Sequence, residues 1–91
     1  MQQKQFKAGN ADTTFTAKLG GTTGRTVLIT RDDQPDHLFL TLDPVDHDVA
    51  RELLKMPDDE FLDMAVRQAI EDDLINKALE SGGPVVALLK H

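Results

Sequence analysis

The chain has 91 residues, 40% of them hydrophobic, and a formal net charge of −6, which is the size of one small domain. It contains no cysteine, so disulfides, thiolate metal sites and cysteine nucleophiles are excluded. No apolar run reaches the length of a membrane span, and no signal-like segment follows Met1. We therefore expect a single domain over residues 1–91, located in the cytoplasm and without membrane contact.

The first 42 residues predict an antiparallel sheet. Runs of strand-forming residues, separated by Gly-, Asp- and Pro-containing turns, lie at residues 3–8, 13–19, 26–31 and 37–42. The second run alternates between apolar and polar side chains, which is typical of a strand with one face toward solvent. In the last run, Leu38, Leu40 and Leu42 are expected on one face.

The second half of the chain changes to helical periodicity. Asp43-Pro44 has the chemistry of a helix start, with Asp43 as the N-cap. Pro57 begins a second helix, which Gly82 ends as a left-handed cap. Residues 84–91 predict a buried strand that returns to the sheet. The predicted fold is α+β: an antiparallel sheet of three or four N-terminal strands plus a C-terminal strand, with two helices packed on one face.

The second predicted helix is apolar on two faces at different heights. At about 100° per residue, the apolar residues of its second half lie roughly opposite those of its first half. One interpretation is a symmetric homodimer whose interface consists of Leu74, Ile75, Ala78 and Leu79. The other interpretation is a bend near Asp72-Asp73 that turns the second face into the core.

Acidic residues are concentrated in the helical half. Residues 43–80 carry twelve acidic and four basic residues, whereas residues 1–31 carry one acidic and five basic residues. The candidate acidic interaction surface consists of Asp58, Asp59, Glu60, Asp63, Glu71, Asp72 and Asp73. This surface predicts a protein partner with a basic surface. The alternatives are a phage-type inhibitor of the anti-restriction or anti-CRISPR class, which mimics nucleic acid, and a plain solvated helix face.

No catalytic, cofactor or metal site is predicted. The three histidines lack metal-ligand spacing, and Ser81, the only serine, cannot be joined to a His/Asp pair. The loop at residues 20–26 lacks the spacing of a phosphate-binding loop. Direct nucleic-acid binding is not expected, because the strand half has few basic residues and no interleaved aromatics. We expect a small non-enzymatic protein that acts by macromolecular binding as a homodimer, and rank a carboxylate-dependent enzyme last.

Overall fold

The structure, a computed structural model, describes residues 3–7, 14–21, 25–82 and 84–89. The tip of the predicted loop at residues 20–26, Gly83 and His91 lie outside them. The described elements, in chain order, are β1 (Gln3–Lys7), β2 (Thr14–Gly20), β3 (Thr26–Arg31), β4 (Gln34–Pro44), α1 (His47–Leu53), α2 (Asp58–Glu71), α3 (Leu74–Ser81) and β5 (Val85–Leu89). The α+β class is confirmed, with three helices in this part of the chain rather than two.

The five described strands form one mixed sheet in the order β1-β2-β3-β4-β5. The first four are antiparallel neighbours, whereas β5 runs parallel to β4, with the N–H of Val45 donating to the carbonyl of Leu89 at 3.1 Å. The helices form the crossover that a parallel pair requires. The antiparallel prediction is thus right for the N-terminal strands, and the sheet as a whole is mixed.

The core lies between one face of the sheet and the helices. Alternate residues of the strands, such as Phe15, Ile29 and Leu40, are fully buried and belong to one cluster with Phe61 of α2 and Ile75 of α3. Helix α2 packs over β1 and β2, and α3 packs over β4 and β5. The opposite face of the sheet therefore has no helix over it in the described part of the chain.

A bulge in β4 changes the face of Leu38. Leu40 pairs with Ile29 and Leu38 pairs with Thr30, so Phe39 is an extra residue between the two pairs. The Phe39 ring enters the core, and its centroid lies 5.3 Å from that of Phe15. The prediction that Leu38 shares a face with Leu40 is wrong, because a bulge shifts the two-residue alternation of side chains by one position.

The first helix begins three residues later than predicted. Asp46 is its N-cap and accepts a hydrogen bond from the N–H of Val49 at 2.9 Å. Asp43 lies in β4 instead, where its carboxylate accepts from the Thr26 hydroxyl at 2.7 Å. The prediction of Asp43 as N-cap is wrong, because pairing with β5 continues β4 through Pro44.

The long helical segment is broken at Asp72-Asp73. Helix α2 ends at Glu71, Asp73 adopts a left-handed conformation with φ of 58°, and α3 begins at Leu74. This is the bend that the sequence offers as one of two interpretations. Gly82, with φ of 81°, ends α3 as the predicted left-handed cap.

Candidate interaction surfaces

Arg25, which directly precedes β3, holds the loop between α1 and α2. Its buried guanidinium donates to the carbonyls of Leu53 and Met56, both at 2.9 Å, and pairs with the Asp58 carboxylate at 2.9 Å. Its charge also lies 5.0 Å from the ring centroid of Phe61, a cation–π distance. Asp58, a predicted residue of the acidic surface, is thus engaged within the chain. The sequence carries no pattern that singles out Arg25.

Asp63 also has a partner within the chain. Lys4 of β1 reaches across to α2, and its Nζ lies 2.5 Å from Asp63 Oδ1. Both side chains are partly exposed, so the pair contributes on the order of 0–1 kcal/mol to folding. Its main consequence is positional, because it joins the outer strand of the sheet to the middle of α2.

The other five predicted acidic residues are exposed and form two groups at the ends of α2. Its first turn carries Asp59 and Glu60, and its junction with α3 carries Glu71, Asp72 and Asp73. At 1.5 Å per residue, Glu60 and Glu71 are about 16 Å apart along the helix axis. Arg67 lies between them and is also exposed. These five carboxylates, which have no ion pair among the described residues, therefore do not form one continuous row.

The four residues predicted for a dimer interface pack on the chain's own core. Ile75 is 1% exposed and Ala78 is 0% exposed, and Leu74 and Leu79 are partly buried against the same cluster. The break at Asp72-Asp73 places them there. The reason for expecting a dimer through this face is removed, and the oligomeric state itself stays a prediction.

The uncovered face of the sheet is apolar on β3 to β5. The side chains concerned, which we call the apolar sheet patch, are Leu28, Leu38, Val86 and Leu88, arranged around Thr41. Val86 is 67% exposed and Leu88 is 50% exposed. The prediction of a buried terminal strand is wrong for these two residues, because β5 is at the edge of the sheet and only one of its faces meets the helices.

A shallow groove of about 460 Å³ lies between β1 and α2. Its apolar lining is Phe6, Val66 and Ile70, and its charged lining is Lys4, Asp63, Arg67 and Glu71. Ile70 is 48% exposed, unusually high for an isoleucine beside a core. We call this surface the β1 groove. The sequence gives no direct signal for it, because it depends on which strand lies at the edge of the sheet.

Metal-ligand clusters and membrane-spanning helices are absent from the described part of the chain. Residues 3–7, 14–21, 25–82 and 84–89 contain no group of three or more His, Asp or Glu side chains placed to hold a metal ion. Within the same ranges, no helix is both long enough and apolar enough to cross a bilayer. His37 and His47 are exposed surface residues. The contact surfaces are therefore the features from which a function can be inferred.

Comparison with known proteins gives no match: no protein-family model, no curated protein and no solved structure aligns significantly with the chain. In the part of the chain that the structure describes, the fold is a small α+β domain whose sheet has helices over one face only.

Proposed function

We propose that the protein is a non-enzymatic binding protein that acts as a homodimer and contacts another protein through its apolar sheet patch. The observation that carries the proposal is the exposure of Val86 and Leu88 on a strand that is otherwise apolar throughout. A continuous apolar strand in a parallel pair is typical of a sheet covered on both faces. In this proposal, a partner protein covers the second face of the sheet.

The patch has the composition of a contact surface. Full burial of a valine or leucine side chain is worth roughly 1.5–3 kcal/mol, so each of these two exposed side chains offers a partner roughly 1–2 kcal/mol. The neighbouring half of the same face, on β1 and β2, carries polar side chains such as Gln5, Thr16 and Lys18. An apolar centre beside a polar border is the usual arrangement of a protein–protein interface.

The acidic surface gives weaker support for contact with a basic partner than the apolar sheet patch gives for its own contact. Asp58 and Asp63 are paired within the chain, and the remaining carboxylates lie in two groups separated by Arg67. A nucleic-acid mimic needs a regular row of charges, because duplex DNA carries one charge per about 1.7 Å of axis. The apolar sheet patch is therefore the preferred contact, and the acidic surface and the inhibitor class stay alternatives.

Affinity capture from native-host extract with three forms of the full chain separates these possibilities. The first is the wild type, and the second carries Val86→Thr and Leu88→Thr, which keep strand propensity and charge while removing apolar surface. The third neutralises both groups of exposed carboxylates and leaves the Asp58–Arg25 and Asp63–Lys4 contacts intact; its substitutions are Asp59→Asn, Glu60→Gln, Glu71→Gln, Asp72→Asn and Asp73→Asn. Far-UV circular dichroism confirms that each form is folded.

A partner that is retained by the wild type and the acidic variant, and lost by the threonine variant, supports the proposal. The opposite pattern, with binding that weakens steeply as salt rises, would assign the contact to the acidic surface, because exposed charges are screened within about 10 Å at 0.1 M. Equal retention of the same proteins by all three forms would refute both surfaces.

A further inference from the structure

Along one edge, the outer strand β1 has backbone groups that form no hydrogen bond with the part of the chain that the structure describes. The carbonyl of Thr14 accepts from the N–H of Asp32 at 2.9 Å, so the backbone groups of Thr14 face β3 and those of Phe15 face β1. Phe6 lies opposite Phe15, so its backbone N–H and C=O groups face β2. The alternate residues of β1 therefore direct their N–H and C=O groups outward, away from the sheet; these residues are Gln3, Gln5 and Lys7.

The position of α2 makes this edge suitable for a second copy of the same chain. Neighbouring strands lie about 4.8 Å apart, and α2 packs over both β1 and β2, so its axis projects about half a strand spacing inside β1. If two β1 strands pair, the two α2 axes are about 10 Å apart. Packed helices have axes 8–10 Å apart, so each α2 would close the β1 groove of the other copy.

We propose that two copies of the chain pair through antiparallel β1 strands, with Gln5 on the twofold axis, and so form one continuous sheet with the two α2 helices side by side. The proposal rests on the homodimer included in the proposed function and assigns its surface. In this register the outward backbone groups of each copy meet those of the other. Ile70, half exposed in a single copy, comes to lie between the two helices.

The charges on α2 nearest the twofold axis are complementary in this arrangement. Helix α2 begins beside Arg25 and runs in the same direction as β1, with Asp63 next to Lys4. At about 3.3 Å per strand residue and 1.5 Å per helix residue, Gln5 is level with about Ala65. The twofold axis then brings Asp63 opposite Arg67 of the partner subunit, and Arg67 opposite the partner's Asp63.

Arg67 has the free charge that this contact needs. It forms no ion pair with any of the residues that the structure describes, and Asp63 keeps an exposed side chain beside Lys4. Lysines on an edge strand normally oppose pairing of two sheets. Here Lys4 is neutralised by Asp63, and the antiparallel register centred on Gln5 places Lys7 opposite Gln3 rather than opposite another lysine.

Charge reversal tests the arrangement without disturbing the core. Arg67→Glu places Asp63 opposite a glutamate, and Asp63→Arg places an arginine opposite Arg67, so each variant repels itself across the twofold axis. Mixed together, the two variants restore two opposite-charge contacts. We expect sedimentation at micromolar concentration to show a wild-type species of twice the 10.1 kDa chain mass. Each variant alone should show at least a tenfold higher dissociation constant, and the mixture a heterodimer near wild-type affinity.

Lys77→Glu is the matched control, because it reverses an exposed base on α3 outside the groove lining; it should leave the dimer unchanged. Circular dichroism shows whether every form is folded. If the wild type is a dimer and neither variant weakens it, or if the mixture stays monomeric, the β1 pairing is overturned. The homodimer itself would then remain as part of the proposed function, through another surface. A wild type that is monomeric throughout overturns both, and leaves partner binding through the apolar sheet patch to its own test.

Discussion

Arg25 provides a direct test of how the helices are attached to the sheet. Its guanidinium joins the start of β3 to two backbone carbonyls, those of Leu53 and Met56, and to the carboxylate of Asp58. Arg25→Met keeps a long apolar side chain in the same space and removes every donor. The loop between α1 and α2 then loses these contacts with the start of β3, and the carbonyls of Leu53 and Met56 lose this donor.

The expected loss of folding stability follows from these contacts. A hydrogen bond from a charged donor contributes about 1.5–3 kcal/mol, and Arg25 makes two to carbonyls of residues that the structure describes. The Asp58 side chain is 52% exposed, so its ion pair contributes only about 0–1 kcal/mol. Together these contacts amount to about 3–7 kcal/mol. Because the methionine side chain keeps the apolar packing of the arginine stem, we expect Arg25→Met to lower the free energy of unfolding by about 3–5 kcal/mol. Domains of this size have roughly 5–13 kcal/mol in total, so the variant should fold with a much smaller margin.

Urea unfolding followed by far-UV circular dichroism measures this, since the chain has no Trp or Tyr for fluorescence. The midpoint for Arg25→Met should fall by roughly 2–4 M. Asp58→Asn should lose no more than about 1 kcal/mol, and Arg25→Lys should lie between the two because one ammonium cannot reach all three acceptors. If Asp58→Asn were as damaging as Arg25→Met, the exposed ion pair would be the main contact and the reasoning would be wrong.

Two further predictions concern backbone conformation. Asp73→Val should lower the free energy of unfolding by about 1–2 kcal/mol, because a β-branched residue is strained at φ of 58°. Asp72→Val, at φ of −88°, is the control and should change the free energy of unfolding by less than about 0.5 kcal/mol. Equal shifts of the thermal unfolding midpoint for the two variants would contradict this. Gly21→Ala should lose more stability than Gly82→Ala, since both have positive φ but only the Cβ at Gly21 would meet Thr26 Oγ1, at 2.6 Å. Equal losses of stability in urea unfolding would show that the Thr26 side chain moves away from the added Cβ at no cost in free energy.

Local chemistry was sufficient to predict the main elements. Alternating side chains identify β2, and the glycine that caps α3 follows from the need for a left-handed residue at a helix end. The two apolar faces of the second half predict either a bend or a dimer, and the bend is what forms. Both alternatives bury the same side chains, so periodicity alone could not choose between them.

Other features depend on contacts between distant segments and leave no trace in local sequence. The direction of β5 is set by the crossover of the helices, and the run Val85–Leu89 would be equally apolar in either direction. The bulge at Phe39 reflects packing against Phe15, and the role of Arg25 depends on carbonyls about thirty residues further along the chain. The apolar sheet patch and the β1 groove could be located only once the strand order was known.

The substitutions that test the two proposed surfaces lie near opposite edges of the sheet, and this separation makes the proposals independently testable. Strands β1 and β5 are four strand spacings apart, about 19 Å, beyond the distance at which substitutions usually interact. Arg67→Glu should therefore remove the dimer and leave capture of the partner unchanged, while Val86→Thr with Leu88→Thr should do the reverse. If the threonine variant also became monomeric, the apolar sheet patch would be the surface that joins the two copies, and no separate partner would be needed to cover it.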